Sequence, residues 1–163
     1  MTTVRIGWGL PHDDVDAVWV LAPHDLSIAL EVTGTIPRPR SAVGQSESGR
    51  LLGLSALLDA GEIWHAFTVS ARSPVRSRRV ELVCERGVAV LAGAWDEHVS
   101  VFAADAAEPE EQRIETPGEL PLLACLRAFV EHIRGGPAPK SSAAEAAAGV
   151  AVIAQLREQA GRL

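Results

Sequence analysis

The alternation of hydrophobic and polar positions divides the chain into a helical start, a strand-rich centre and a helical end. A short β-prone run, Val4 to Trp8, precedes a helix predicted from about Asp16 to Thr33, in which apolar residues recur at helical intervals. Gly34 supplies the predicted stop of this helix. Pro23 lies inside it and predicts a kink or an interrupted first turn.

The centre of the chain, from about Arg38 to Glu115, has the pattern of short strands separated by turn residues. Compact hairpin connections at 59–62 and 85–88 predict an antiparallel sheet, because parallel strands would need crossover connections. The acidic stretch from Asp105 to Glu111 is predicted to be a solvated loop. The predicted strands are Leu52–Leu58, Ile63–Ser70, Arg79–Cys84, Val88–Leu91 and Val99–Phe102.

Two helices are predicted to close the chain. The segment Thr116–Glu119 offers an N-cap with proline at the first helical position, and an apolar face then runs from Leu122 to Ile133. The segment Ser142–Glu145 has the pattern of a capping box for the last helix. Strands grouped between helices indicate a single α+β domain over residues 1–163, with helices on one face of an open, mainly antiparallel sheet.

Composition excludes several classes of protein. The 163 residues are 47% hydrophobic with a net charge of −6, which indicates a soluble globular domain and disfavours nucleic acid as a partner. No apolar run approaches the roughly 18 residues of a membrane span, and the N-terminus lacks the layout of a signal peptide, so we expect a cytoplasmic protein without a membrane partner. Cys84 and Cys125 lack Cys-x-x-Cys spacing and are predicted to be small buried side chains.

The segment from Val18 to Gly34, VWVLAPHDLSIALEVTG, resembles the start of the C-terminal domain in the glucose-fructose oxidoreductase/inositol dehydrogenase (Gfo/Idh/MocA) family. The family pattern runs roughly Trp-Asp-Leu-x-Pro-His-Asp-Leu-Ser, and its Asp and His, about one helical turn apart, face the substrate. His24 matches the family histidine, whereas Val20 stands at the aspartate position. The family's Glu-Lys-Pro lysine has no counterpart, since the only lysine is Lys140.

Later segments extend the resemblance across nearly the whole chain. Ser70–Arg76 followed by Arg79–Leu91 resembles the family's strand, proline-containing link and next hairpin, and Phe129–Pro137 resembles its closing segment. The resemblance implies a substrate and oligomerisation domain without the Rossmann domain that binds the cofactor. It also implies that the sheet face opposite the helices makes subunit contacts.

The candidate chemistry begins with the run Val4–Gly9, which looks like a strand entering a dinucleotide loop. It lacks the third glycine of the fingerprint and the later acidic residue, so we predict no cofactor. His24 is the leading catalytic candidate, as a general acid or base whose tautomer is fixed by Asp25, by Asp16 or by a group from a partner. The alternative is a structural histidine that is hydrogen-bonded within the fold.

Three further groups have two interpretations each. An acidic cluster could bind a metal, although a solvated helix N-terminus is favoured and no metal is predicted. A basic cluster could hold an anionic substrate or an acidic partner surface, although a solvated hairpin is favoured. The tryptophans could line a cavity, although core positions are expected for at least two. These groups are His12, Asp13, Asp14, Asp16, His24 and Asp25; Arg72, Arg76, Arg78 and Arg79; and Trp8, Trp19, Trp64 and Trp95.

Two functional hypotheses follow from these patterns. In the first, the chain is a binding or interaction subunit of sugar, cyclitol or specialised metabolism that does not transfer hydride alone. It would assemble through its sheet face, as a homo-oligomer or with a full-length oxidoreductase relative, and could bind a small molecule. In the second, the chain is a small cofactor-independent isomerase, lyase or cyclase with His24 as its acid or base. The outward-facing member of the pair Leu54 and Trp64 should lie in the subunit interface.

Overall fold

The computed structural model describes residues 1–9, 14–93, 95–105, 108, 110–116 and 118–161. Within these residues the chain forms three helices and eight strands. The helices are α1 (Ala17–Thr33), α2 (Pro121–Ile133) and α3 (Ala143–Ala160). The strands are β1 (Thr2–Trp8), β2 (Arg38–Glu47), β3 (Arg50–Ala60), β4 (Ile63–Ser70), β5 (Arg72–Cys84), β6 (Gly87–Leu91), β7 (His98–Ala103) and β8 (Glu111–Glu115).

The strands form one open sheet in the order β2-β3-β4-β1-β5-β6-β7-β8. All neighbouring strands are antiparallel except β1 and β4, which run parallel. The first strand of the chain therefore lies at the centre of the sheet, between two strands that come much later in the sequence. This arrangement confirms the predicted α+β class with a mainly antiparallel sheet.

Helix α1 begins and ends where its sequence predicts. Asp16 is the N-cap and accepts a hydrogen bond from the backbone nitrogen of Trp19 at 3.3 Å, and Gly34 ends the helix with φ at +74°. Helix α1 continues through Pro23, so the expected interruption of its first turn does not occur. Buried residues on both sides of the proline, Ala22 and Leu26, hold the helix against the sheet.

The core lies between the sheet and the helices α1 and α3, over strands β2, β3 and β4. Gly44 on β2 allows a close approach there, since a Cβ at this position would lie 3.0 Å from the Cβ of Ala160 on α3. Arg157 joins the two helices, with its Nη2 atom 2.6 Å from Oδ2 of Asp16 and its guanidinium 5.2 Å from the Trp19 ring centroid. The largest core side chains are Phe67, Leu26, Leu58, Ile153 and Leu156.

Strands β2 and β8 and the start of α2 differ from the sequence predictions, and β5 begins seven residues before the predicted strand Arg79–Cys84. Strands β2 and β8 were not predicted individually, because β2 is mostly exposed and every residue of β8 is exposed, so neither has an apolar pattern. Glu111, the expected end of a loop, is the first residue of β8. Helix α2 begins at Pro121, four residues after Pro117, and its N-cap Leu120 makes no side-chain capping bond. The predicted cap at Thr116 is therefore wrong, and Pro117 itself lies outside the described residues.

Helix α2 is amphipathic, yet none of its side chains is buried and it makes no extensive contact with another described element. Cys125 on α2 and Cys84 at the end of β5 are both exposed, so the prediction that the cysteines are buried is wrong. Strand β5 and the strands beyond it make no extensive contact with a described helix. Among the described helices, none is long and apolar enough to cross a lipid bilayer.

The prediction that at least two tryptophans lie in the core is also wrong. Only Trp19 packs against the core cluster. Trp8, Trp64 and Trp95 are exposed, by 69%, 55% and 78% respectively. The indole rings at these three positions are therefore available to ligands or partners rather than committed to the interior.

Candidate functional site

A cavity of about 410 Å³ opens where β1 ends, beside α1 and the first half of β5. Val20 and His24, one helical turn apart on α1, both line it, so the helical spacing places them on one wall as the sequence predicts. The other side chains around the cavity divide into apolar and cationic groups. They are Ile6, Trp8, Ala17, Leu21 and Ala71, and Arg5, Arg76 and Arg78, with Ser70 and the backbone of Gly7 and Gly9 completing the wall.

The pairing of β1 with β5 sets the cationic side of this cavity. Arg5 and Arg78 are directly opposite each other in the antiparallel register, and directly opposed side chains project from the same face of a sheet. Arg76, two residues before Arg78, also lines the cavity. The face shared by Arg5 and Arg78 is the one that α1 covers, because Asp25 of α1 contacts Arg5.

Asp25, a candidate partner for His24, is instead committed to Arg5. The Nε atom of Arg5 lies 2.8 Å from Oδ2 of Asp25, and the two side chains are only 14% and 2% exposed. Burial raises the pKa of Asp25, and the opposite charge of Arg5 together with hydrogen bonds from Arg5 and Thr3 partly offsets this rise. The described contacts include no hydrogen bond between Asp25 and the His24 ring.

Asp16, the other suggested partner of His24, is also engaged elsewhere. Its carboxylate caps α1 and binds Arg157. The described residues therefore do not form a histidine–carboxylate dyad around His24. The structure places His24 at the cavity, but it does not bring Asp16 or Asp25 there as lining residues.

His24 presents an exposed imidazole to the cavity. Partial burial lowers its pKa, the charges of Arg5 and Arg78 lower it further, and the charge of Asp25 acts in the opposite direction. The ring is therefore neutral at neutral pH, with one nitrogen able to donate a hydrogen bond and the other able to accept one.

Behind the ion pair lies a buried polar network that the sequence did not indicate. The hydroxyl of Thr3 lies 2.9 Å from Nε2 of His65, and it also hydrogen-bonds to Asp25. Since a carboxylate only accepts, Thr3 donates to Asp25 and Nε2 of His65 donates to Thr3. Nδ1 of His65 is then an unprotonated buried atom, and it has no hydrogen-bond partner among the described residues. Burial, with a smaller effect of the N-terminal ammonium, lowers the pKa of His65 to about 4.

The basic cluster of β5 divides into two pairs with different surroundings. Arg72 forms an ion pair with Glu47, and the Nη2 atom of Arg79 lies 2.7 Å from a carboxylate oxygen of Glu81. Arg72 and Arg79 therefore fit the favoured interpretation of the basic cluster, which is a solvated hairpin. Arg76 and Arg78 line the cavity instead. Sequence analysis missed Arg5 as a site residue, because its role depends on the pairing of distant strands.

The metal interpretation finds no support in the described part of the chain. Asp16 and Asp25 are paired with arginines, and no group of three or more potential ligands lies together among the described residues. His12 and Asp13 lie outside these residues.

Comparisons with known proteins identify the fold. UDP-N-acetylglucosamine 3-dehydrogenase GnnA from Acidithiobacillus ferrooxidans is 16% identical and matches 97% of this chain and 53% of its own, with a TM-score of 0.84. Levoglucosan dehydrogenase, solved with NADH and L-sorbose, is 12% identical and matches 99% of this chain and 56% of its own, with a TM-score of 0.81. An oxidoreductase domain protein from Kribbella flavida is 13% identical and matches 99% of this chain and 57% of its own, with a TM-score of 0.80.

No family model and no curated protein matches the sequence. The chain spans about half the length of the three solved proteins. At these identities the likeness is one of fold. The fold is that of the C-terminal half of Gfo/Idh/MocA oxidoreductases, as the resemblance of the sequence implies.

Proposed function

We propose that this chain, with the fold of the C-terminal half of Gfo/Idh/MocA oxidoreductases, is a small-molecule binding and assembly domain that does not transfer hydride by itself. Its ligand occupies the cavity beside His24. A sugar-like or polyol ligand is supported by the names of two proteins that share the fold, a UDP-N-acetylglucosamine dehydrogenase and a levoglucosan dehydrogenase solved with L-sorbose.

The observation that carries the proposal is the composition of the cavity wall. Apolar side chains from β1 and α1, among them Trp8 and Leu21, face hydrogen-bonding groups from His24 and the arginines. A wall of this kind suits a small polar molecule with a carbon framework, because the apolar surface covers the framework and the polar groups fix its orientation. A volume of about 410 Å³ is within the usual range for such sites.

The chain's own residues do not fit a nicotinamide cofactor. A dinucleotide site needs parallel strands alternating with helices and a glycine-rich turn at the start of a helix. Here β1 has antiparallel β5 on one side, and the only parallel pair is β1 with β4 among the described strands. We therefore propose that, in any redox reaction, a partner such as a full-length oxidoreductase relative binds the cofactor and transfers the hydride.

The second part of the proposal is assembly through the outer face of the sheet, which is the face opposite α1 and α3. Leu54 points into the core and is 2% exposed, whereas Trp64 is 55% exposed. Val43 and Leu57 are also exposed, by 60% and 37%. Burial of these apolar side chains against a second copy of the chain, or against a relative, would remove them from water.

A second candidate function rests on His24. A neutral imidazole at a cavity wall could accept a proton from a bound ligand, as in a cofactor-independent isomerase, lyase or cyclase. Asp25 would then act by holding Arg5 near the site rather than by orienting the imidazole. No carboxylate is found beside His24 among the described residues that line the cavity, so the ligand, water or a partner would supply the second proton-transferring group.

Calorimetric titration tests the main proposal. We expect saturable heat with members of a panel of sugars, polyols and their phosphate and acid derivatives, and no saturable heat with NAD(H) or NADP(H). Micromolar binding of a nicotinamide cofactor to the purified chain would refute the proposal. Turnover of a bound ligand without cofactor, lost in His24→Gln with binding retained, would favour the second candidate.

A further inference from the structure

We propose that the cavity contains an oxyanion subsite formed by Arg76 and Arg78, with Arg5 and His24 beside them. The ligand would then be a small organic molecule with a phosphate or carboxylate group. This inference rests on the proposed function, because it specifies which class of small molecule the same cavity binds.

The first argument is charge balance. Three arginines line the cavity, and none of the described residues that line it is an aspartate or a glutamate. The nearby carboxylate of Asp25 neutralises Arg5 in a buried ion pair. Neither Arg76 nor Arg78 forms an ion pair with any described residue. Among the described residues, the cavity therefore has two positive charges in excess, and a bound anion would balance them.

The second argument is the position of these charges in the sheet. Arg5 and Arg78 are directly opposite each other on antiparallel strands, and like charges in this position destabilise a sheet. Arg79, the next residue on the same strand, projects from the other face and is paired with Glu81. On β5, Arg79 is therefore paired on the outer face, whereas Arg76 and Arg78, which line the cavity, have no ion-pair partner among the described residues.

The third argument is the chemistry of the cavity wall. A guanidinium group offers two parallel N–H donors that match the oxygens of a phosphate or a carboxylate. Neutral His24 can add one further N–H donor. Val20 stands at the position where the Gfo/Idh/MocA pattern has an aspartate, so this position of the wall has no carboxylate that would repel an anion. Trp8 and Leu21 offer apolar surface to the ligand's carbon framework.

The test is calorimetric titration with four probes: inorganic phosphate, glucose 6-phosphate, glucuronate and glucose. We expect at least one anionic probe to bind about tenfold or more tightly than glucose. Arg78→Gln should remove this preference, since it deletes one charged donor pair. Arg79→Gln is the matched control, because it removes the same charge from the same strand on the outer face, and it should leave the affinities unchanged. Stronger binding of glucose 6-phosphate or of glucuronate identifies a phosphoryl or a carboxyl ligand.

Each other outcome overturns the inference. Equal affinities for glucose and the anions, unchanged in Arg78→Gln, would refute the oxyanion subsite and leave the proposed binding function intact. Anion binding that falls equally in both variants would place the anion outside the cavity. No binding of any probe, charged or neutral, would refute the subsite, and failure of the whole sugar panel as well would refute the proposed function. Because Arg78 is exposed, its variant should keep the wild-type thermal midpoint, and circular dichroism checks this.

Discussion

The Nε atom of Arg5 lies 2.8 Å from Oδ2 of Asp25, in an ion pair that is almost fully enclosed between β1 and α1. This contact separates the roles of two neighbouring residues, His24 and Asp25, that the sequence suggested as one catalytic group. The His24 ring faces the cavity, while the Asp25 carboxylate faces the sheet and connects through Thr3 to His65. Asp25 thus holds α1 on the sheet, and His24 remains available to a ligand.

The first prediction concerns the stability of variants at these two positions. Asp25→Ala should lower the free energy of unfolding by about 3–5 kcal/mol, because it leaves the Arg5 guanidinium buried without its counter-charge. His24→Gln should change it by less than about 0.5 kcal/mol, since the ring is exposed. Urea unfolding followed by circular dichroism measures both. The structural role of Asp25 would be excluded by equal stability of the Asp25→Ala variant and the wild type.

The second prediction concerns the pKa of His24. Val20→Asp would place a carboxylate one helical turn from the imidazole, at the family's aspartate position, and should raise the pKa of His24 because an anion stabilises the imidazolium. Val20→Asn, similar in shape but uncharged, is the matched control. NMR titration of the imidazole resonances measures the pKa in each variant. An unchanged pKa in Val20→Asp would show that the two side chains do not share a wall of the cavity.

The third prediction concerns acid stability and the buried His65. Its pKa is about 4 in the folded state, below the ordinary value of 6.5, so the unfolded state takes up the proton first as the pH falls. Stability should therefore decrease between about pH 6.5 and pH 4, by on the order of 3 kcal/mol from this one group. The effect is complete below the folded-state pKa and absent at neutral pH.

The matched variant for this prediction is His65→Leu, which cannot be protonated. Urea unfolding at a series of pH values should give a shallower loss of stability for His65→Leu than for the wild type between pH 6.5 and 4. Parallel pH profiles for the two proteins would mean that His65 does not titrate with a lowered pKa.

The fourth prediction concerns assembly. If the outer face of the sheet is an interface between copies, light scattering at micromolar concentration should give a mass near twice 17.3 kDa, and Trp64→Glu should reduce it to the monomer value. A charge at an exposed position should not unfold the chain, which circular dichroism checks. Leu126→Glu on α2, also an exposed apolar position, is the comparison. Dissociation by Leu126→Glu alone would place the interface on α2 rather than on the sheet. A monomeric wild type would refute self-association and leave only assembly with a different protein.

Several elements were predictable from local sequence because they depend on local physical chemistry. Apolar residues at helical spacing, the Asp16 cap and the Gly34 stop determine α1, and the Ser142–Glu145 capping box begins α3. Strand β4 has the predicted bounds, since its β-branched and aromatic residues alternate between a buried and a more exposed face. These signals lie within a few residues of the structure that they specify.

Other elements depended on neighbours that a local pattern does not contain. Strands β2 and β8 lie at the two edges of the sheet, where pairing with β3 and β7 fixes the backbone although most of their side chains are exposed. The start of α2 was mispredicted because proline is favoured at the first position of a helix, and both Pro117 and Pro121 give this local signal. The exposure of Cys125 follows from the absence of a described element packed on α2.

For the candidate site, the sequence by itself determined that His24 and Val20 share one wall, because four residues make about one helical turn. It also identified the arginines of β5 as a basic cluster. Only the tertiary structure decided which of them line the cavity. The pairing of β1 with β5 sets Arg5 opposite Arg78, and the packing of α1 on the sheet brings Asp25 to Arg5. These contacts depend on strand register and helix packing between distant parts of the chain, which no local pattern of residues specifies.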